Sequence, residues 1–312
     1  MPAHVRRVRP GDTVALVACS GPVDADSLDA GVEVLESWGL RVRLGGSVRA
    51  QHPRLGYLAG TDVERARDFE QAWLDPEVAA VISARGGYGS QRMLDLVDWE
   101  AVRRAPETAF VGSSDVTAVH AAVAAHVGTP TVLAPMPAMA YFDAVAAEHL
   151  RSALFEPQTP RRLPSPRAET MRGGRARGPL VGGNLSVLAA SVGGPEFRPA
   201  RGAVVVLEDV DEEPHRIDRM LTQLLRAGWF EGVVGLALGS WTDCGTDCAV
   251  VRDVLWDRLE PLGVPMVWRM NVGHHPGALA LPLGVPVELD ADTGTLTVVP
   301  DLGCPAEVVE ST

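Results

Sequence analysis

Two adjacent hydroxyls at the head of an alanine-rich segment are the groups of this chain best placed for covalent chemistry. They stand in Phe110-Val111-Gly112-Ser113-Ser114-Asp115-Val116-Thr117. Thr108–Val111 has the short apolar character of a buried strand, and Val116–Val127 carries apolar residues at helical spacing. A serine on such a strand-to-helix turn is raised above the sheet edge beside a helix N-terminus. The helix dipole and free N–H groups there stabilise developing negative charge. The competing reading is that Ser113, Ser114 and Asp115 simply cap the helix.

A hydroxyl nucleophile needs a general base. All 28 basic residues are arginine and none is lysine, which removes Walker-type loops, Schiff-base chemistry and Ser–Lys dyads. Of the eight histidines, His120 and His126 lie inside the helix after the serines. His4, His52 and His149 occupy terminal, loop or exposed helical settings, and His215 an acidic turn. His274 follows a glycine in a loop after an expected strand, where a base would face a cleft; a loop histidine bound to a backbone carbonyl is the alternative. Glu208, first of the run Glu208-Asp209-Val210-Asp211-Glu212-Glu213 after the apolar Ala203–Leu207, is the cleanest orienting carboxylate. The same acidic run with His274 and His275 could in principle hold zinc. Adjacent histidines lack the spacing of a helix face, however, and no HExxH occurs, so neither a metal nor another cofactor is expected.

These residues must be positioned by a scaffold of short apolar strands alternating with helices. Val14–Ala18, Leu40–Leu44, Val78–Ser83 and Thr131–Leu133 read as strands, and Ser27–Trp38, Thr61–Leu74 and Ala144–Leu154 as helices. That alternation predicts an α/β fold with a parallel sheet covered on both faces. Arg85-Gly86-Gly87-Tyr88-Gly89-Ser90 follows one of these strands, so a glycine loop able to offer N–H donors and the serine turn occupy successive strand ends. Residues 156–178 are rich in Pro, Gly and Arg without apolar periodicity and read as a linker whose positive charge could attract an acidic ligand. The chain thus divides into 1–155, a linker 156–178, and 179–312, the last a β-rich mixed domain. A site made of Ser114, Glu208 and His274 would lie between the two domains.

The net charge of −12 argues against nucleic acid as a partner. The apolar run Val14–Cys19 is too short for a signal-peptide core or a membrane span, so no membrane partner and a cytoplasmic location are expected. Cys19, Cys244, Cys248 and Cys304 form no CxxC pair and read as ordinary thiols.

Five stretches in order, ARGGYGSQRMLDLVDW (Ala84–Trp99), VGSSDVTAVH (Val111–His120), GGNLSVL (Gly182–Leu188), VVVLEDVDEEPHRIDRMLTQL (Val204–Leu224) and GHHPGALALPLG (Gly273–Gly284), resemble the LD-carboxypeptidase family of serine peptidases. The family also includes self-immunity peptidases acting on microcin-type peptide–nucleotide antibiotics. The resemblance covers nearly the whole chain. It implies a flavodoxin-like N-terminal domain, a smaller β-rich C-terminal domain, a homodimer, and a Ser–Glu–His triad on Ser114, Glu208 and His274. It further implies an oxyanion hole from the N–H groups of Asp115 and of Gly86 or Gly87. Arg85 and Asn184 are then candidates for binding the substrate, a small peptide. The family usually has an aromatic residue where Ser113 stands, so only motif alignment selects Ser114 over Ser113.

Two substrates follow from the resemblance. One is the muropeptide stem, losing its terminal D-alanine during cell-wall recycling. The other is an aminoacyl or peptidyl nucleotide, whose base the family stacks on aromatics of the inter-domain loop. Tyr141, Phe142 and Phe155 are the only aromatics between Phe110 and Phe197, which leans against the nucleotide. A catalytically silent carboxylate-binding protein of the same architecture is the reading from a different class.

Overall fold

The computed structural model of the protein describes residues 4–299; Cys304 lies outside them. In chain order the first half contains β1 (Thr13–Val17), α1 (Ala25–Ser37), β2 (Arg41–Leu44), α2 (Asp62–Leu74), β3 (Val78–Ser83), α3 (Ser90–Leu94), α4 (Trp99–Arg104), β4 (Ala109–Gly112), α5 (Thr117–His126), β5 (Thr131–Leu133) and α6 (Ala144–Phe155). The second contains β6 (Arg161–Leu163), β7 (Glu169–Arg172), β8 (Arg175–Asn184), α7 (Leu185–Ala190), β9 (Val204–Val210), α8 (Pro214–Arg226), β10 (Gly235–Thr242), α9 (Cys248–Leu259), β11 (Met266–Trp268), β12 (Leu281–Leu283), β13 (Pro286–Asp290) and β14 (Thr295–Val298).

The first sheet has the order β12-β5-β4-β3-β1-β2. β1, β3, β4 and β5 are buried along their whole length, as strands covered on both faces must be, and they pair in parallel. β2, with arginine at alternate positions, forms the exposed edge. The expected parallel α/β domain is therefore present, with one addition. β12 returns from the far end of the chain and pairs antiparallel with β5, Leu281 opposite Leu133.

The second sheet is mixed, with the order β6-β14-β13-β8-β9-β10-β11-β7. Its centre, β8 to β11, is parallel, and antiparallel strands flank it. α8 packs on it through Ile217, Leu221 and Leu224, the one face that i, i+4, i+7 spacing creates. Residues 156–178, read above as a linker, are built into this sheet instead. β6, β7 and the first residues of β8 lie there, and β6 and β7 form its two outer edges. Outer strands keep one side in solvent, so they tolerate the Arg and Thr content that hid them.

The two sheets share a core. Leu133 and Leu281 of the first pack in one cluster with Leu180, Val206 and Val287 of the second. Glycine allows a close approach of the two halves at Gly183, at φ 141, where a Cβ would lie 2.7 Å from Thr117 Oγ1. The end of β8 is thereby pressed against the head of α5.

Candidate active site

β4 ends at Gly112, and the chain turns through Ser113 in extended conformation, without a side-chain cap on the helix. Ser114 then adopts φ 60, a left-handed conformation rare for a residue with a side chain. A single 3₁₀ turn, Ser114–Val116, leads into α5. The capping alternative is thus not what these hydroxyls do.

Several buried contacts hold the strained turn. The Asp115 carboxylate accepts from Ser20 Oγ (2.6 Å) after β1 and from the Ser90 N–H (2.8 Å) at the head of α3, and Ser90 Oγ donates back to Asp115 O (2.6 Å). His120, one helical turn on, lies beneath the elbow with Nε2 2.9 Å from Gly112 O and Nδ1 2.8 Å from Thr131 Oγ1. Burial pushes its pKa down to about 4, so the ring is neutral, donating from Nε2 and accepting at Nδ1.

The glycine loop abuts Ser114. A Cβ on Gly86 would stand 2.8 Å from Ser114 Cβ and 3.0 Å from its Oγ, so only glycine fits without displacing the serine. Among the described residues the N–H groups of Gly86 and Gly87 have no acceptor. Arg85 turns away along the loop, Nε donating to Gly86 O (3.2 Å) and Nη1 to Pro22 O (3.0 Å). Below lies Arg65, wholly buried, with Nη1 on Cys19 O (2.5 Å) and Gly89 O (2.8 Å). It pins the glycine loop to β1. Nothing in the amphipathic pattern of α2 singles it out.

From the second domain, His274 and Glu208 are both buried, with His274 Nδ1 2.6 Å from Glu208 Oε2. Burial depresses the imidazole pKa, but the neighbouring Glu208 carboxylate, with Asp209 behind it, more than reverses this and leaves it raised. Gly273, at φ 120, is obligatory: a Cβ would lie 2.3 Å from Ser240 Oγ and 2.9 Å from Glu208 Oε2. Tyr141 stands edge-on to the His274 ring, centroids 6.2 Å apart. The two halves meet at a small recess lined by Ser113, Glu208 and Gly273, among others. Ser114 Oγ makes no hydrogen bond to His274; such bonds frequently close only in the substrate complex.

Asn184 bridges the halves. Its N–H donates to Thr117 Oγ1 (3.1 Å), three residues after Ser114, and its Nδ2 donates to Asp209 Oδ1 (2.8 Å) and, more loosely, to Glu208 Oε1 (3.4 Å). Its side chain is therefore spent inside the protein. Asp209, overlooked as one of an acidic run, also accepts from the N–H groups of Ser186 (2.9 Å) and Val210 (2.9 Å). The rest of that run lies outside the buried core, with Glu212 paired to Arg216. Cys19 and Cys244 are buried and desolvation pushes their thiol pKa values up to about 12 and 11, which makes them inert.

A half-buried serine held at a strained turn, unpaired backbone donors beside it and a buried Glu–His pair are components suited to acyl transfer. The models of the LD-carboxypeptidase N-terminal and C-terminal domains match residues 14–134 and 177–289, and the chain belongs to the LD-carboxypeptidase family, serine-type carboxypeptidases. A Streptomyces coelicolor protein, SCO6489, is 52% identical to it over 94% of each chain. The murein tetrapeptide carboxypeptidase of Pseudomonas aeruginosa is 30% identical, covering 89% of this chain and 93% of that one. Among solved structures, MccF in complex with glutamyl sulfamoyl guanosine shares the fold at TM-score 0.86 and 22% identity, covering 95% of this chain and 98% of that one. A muramoyltetrapeptide carboxypeptidase from Oxalobacter formigenes gives 0.79 at 27%, with 92% and 97% covered.

Proposed function

We propose that the protein is an L,D-carboxypeptidase that removes the terminal D-amino acid from muropeptide stems, with Ser114, Glu208 and His274 as its triad. His274 takes the Ser114 proton as Oγ attacks the scissile carbonyl, then delivers it to the leaving amine. Water, deprotonated by the same imidazole, releases the acyl chain from Ser114. Glu208 fixes the proton on Nδ1, so that Nε2 faces the reaction, and stabilises the imidazolium. The N–H groups of Asp115 and of Gly86 or Gly87 bind the developing oxyanion, a contribution of about 3 kcal/mol per donor. With Nε and Nη1 of Arg85 held by backbone carbonyls, its Nη2 is left for the terminal carboxylate of the substrate.

The observation that carries this reading is the buried Glu208–His274 pair, brought by the second domain to the recess beside the Ser113–Ser114 turn. The murein substrate rests on relatives such as the Pseudomonas aeruginosa enzyme. A cytoplasmic homodimer acting in cell-wall recycling belongs to the same reading. Among the described residues no helix is long and apolar enough to cross a membrane.

Mass spectrometry of the protein with a stem tetrapeptide tests it. The expected products are the tripeptide and free D-alanine. An intact tetrapeptide, with an aminoacyl sulfamoyl adenosine hydrolysed instead, would overturn the substrate assignment.

A further inference from the structure

A cleft of about 900 Å³ opens where β10 and β11 end, beside the segment that carries the base. Its wall holds that segment in place. The His274 N–H donates to Ser240 Oγ (3.1 Å), and Thr242 Oγ1 donates to His274 O (2.8 Å). Asn271, also in the wall, donates from Nδ2 to Gly277 O (3.0 Å) and closes the loop behind His275. Anything seated in this cleft lies against the backbone that sets the imidazole.

The charge of the cleft is opposite to that of the protein. In a chain of net charge −12 the lining contains Arg167 and Arg269 and no carboxylate. Arg269 is already engaged, donating to Glu169 (2.8 Å) and to Cys248 Sγ (3.5 Å). Arg167, exposed on the 156–178 segment between β6 and β7, has no ion pair or hydrogen bond among the described residues. An unpaired guanidinium can bind a carboxylate in a two-pronged fashion without giving up a partner. The cleft offers little to a nucleobase: Trp241 and Trp268 line it but are only 8% and 3% exposed, which leaves no open ring face for stacking.

We propose that this cleft is the acyl-side subsite, seating the part of the peptide that precedes the scissile residue, and that Arg167 binds a free carboxylate there. Arg167 accordingly discriminates between substrates whose acyl chain does and does not carry a free carboxylate. The proposal rests on the carboxypeptidase reading above and concerns only what the acyl chain must carry.

Two stem tetrapeptides that differ only in one such carboxylate, free or amidated, test it against wild type, Arg167→Ala and Arg167→Lys, with Tm as a control for folding. Wild type favours the free acid roughly 10- to 100-fold in kcat/KM, the scale of a hydrogen-bonded charge. The difference lies in KM, since the contact is equal in ground and transition states. Arg167→Ala brings the ratio of the two substrates to near unity by raising KM for the acid, and Arg167→Lys restores part of it. Equal rates on both stems in wild type, or discrimination that survives in Arg167→Ala, would overturn the subsite while leaving the carboxypeptidase reading intact. Failure of wild type to cleave either stem would instead overturn that reading. Faster hydrolysis of an aminoacyl sulfamoyl adenosine, unaffected by Arg167→Ala, would overturn both.

Discussion

Asp209 and Glu208 place two buried carboxylates next to each other in sequence, with the His274 imidazole on Glu208. Burial, reinforced by the Glu208 charge, pushes the Asp209 pKa up to about 7 against the pull of its three N–H donors. An unfolded aspartate titrates near 4, so between roughly pH 4 and 7 the folded protein holds a proton that the unfolded chain has lost. The stability that Asp209 contributes is present below that window and is lost as pH rises through it. Asp209→Asn removes the ionisation and one acceptor, and the lost acceptor is a pH-independent cost. Thermal melts from pH 4 to 8 should show Tm of the variant gaining on wild type as pH rises to 7. A constant difference across that range would show that Asp209 does not titrate there. The raised His274 pKa adds a second consequence: the acid limb of kcat/KM lies above the ordinary histidine value, since only the neutral ring serves as base.

The elements that carry the site are strand ends, and the glycine loop is the most exacting. Gly86 lies so close to Ser114 that an added methyl must move one or the other. Gly86→Ala should cost roughly 100-fold in kcat, the effect of a displacement on the ångström scale. Its fold, checked by circular dichroism, should be retained. Unchanged kcat would show that the loop does not set the serine. The loop, β3 and β4 were legible in the sequence because strands buried on both faces are continuous apolar runs, and glycine marks their ends. β6 and β7 were not, since their Arg and Thr residues suit an outer strand as well as a linker. β12 was hidden for another reason. Leu281-Pro282-Leu283 is three residues long and contains a proline, tolerated on an edge strand. Its partner lies about 150 residues away, beyond any local pattern. Glu208 and His274 could be singled out by their places next to expected strands, although Glu208 lies inside β9 itself, and Ser114 was separated from Ser113 by the motif resemblance alone. Asn184 and Asp209 could not be given their roles, because pairing across β8 and β9 alone brings them together.

At the scale of the molecule the proposed site exists only as a union. One domain holds the strained Ser114 turn and unpaired backbone donors, the other the buried Glu208–His274 pair. A core shared by Leu133, Leu281 and Val206 and the contact of β8 with α5 fix one half against the other. Under the proposed function His274 of the second domain activates Ser114 of the first, although Ser113 stands next to it. Intact-mass analysis after reaction with a fluorophosphonate measures this directly, on wild type, Ser113→Ala, Ser114→Ala and His274→Ala. The expected outcome is one adduct on wild type and on Ser113→Ala, none on Ser114→Ala, and labelling of His274→Ala slowed by at least roughly 100-fold. Labelling that persists in Ser114→Ala and vanishes in Ser113→Ala would contradict it.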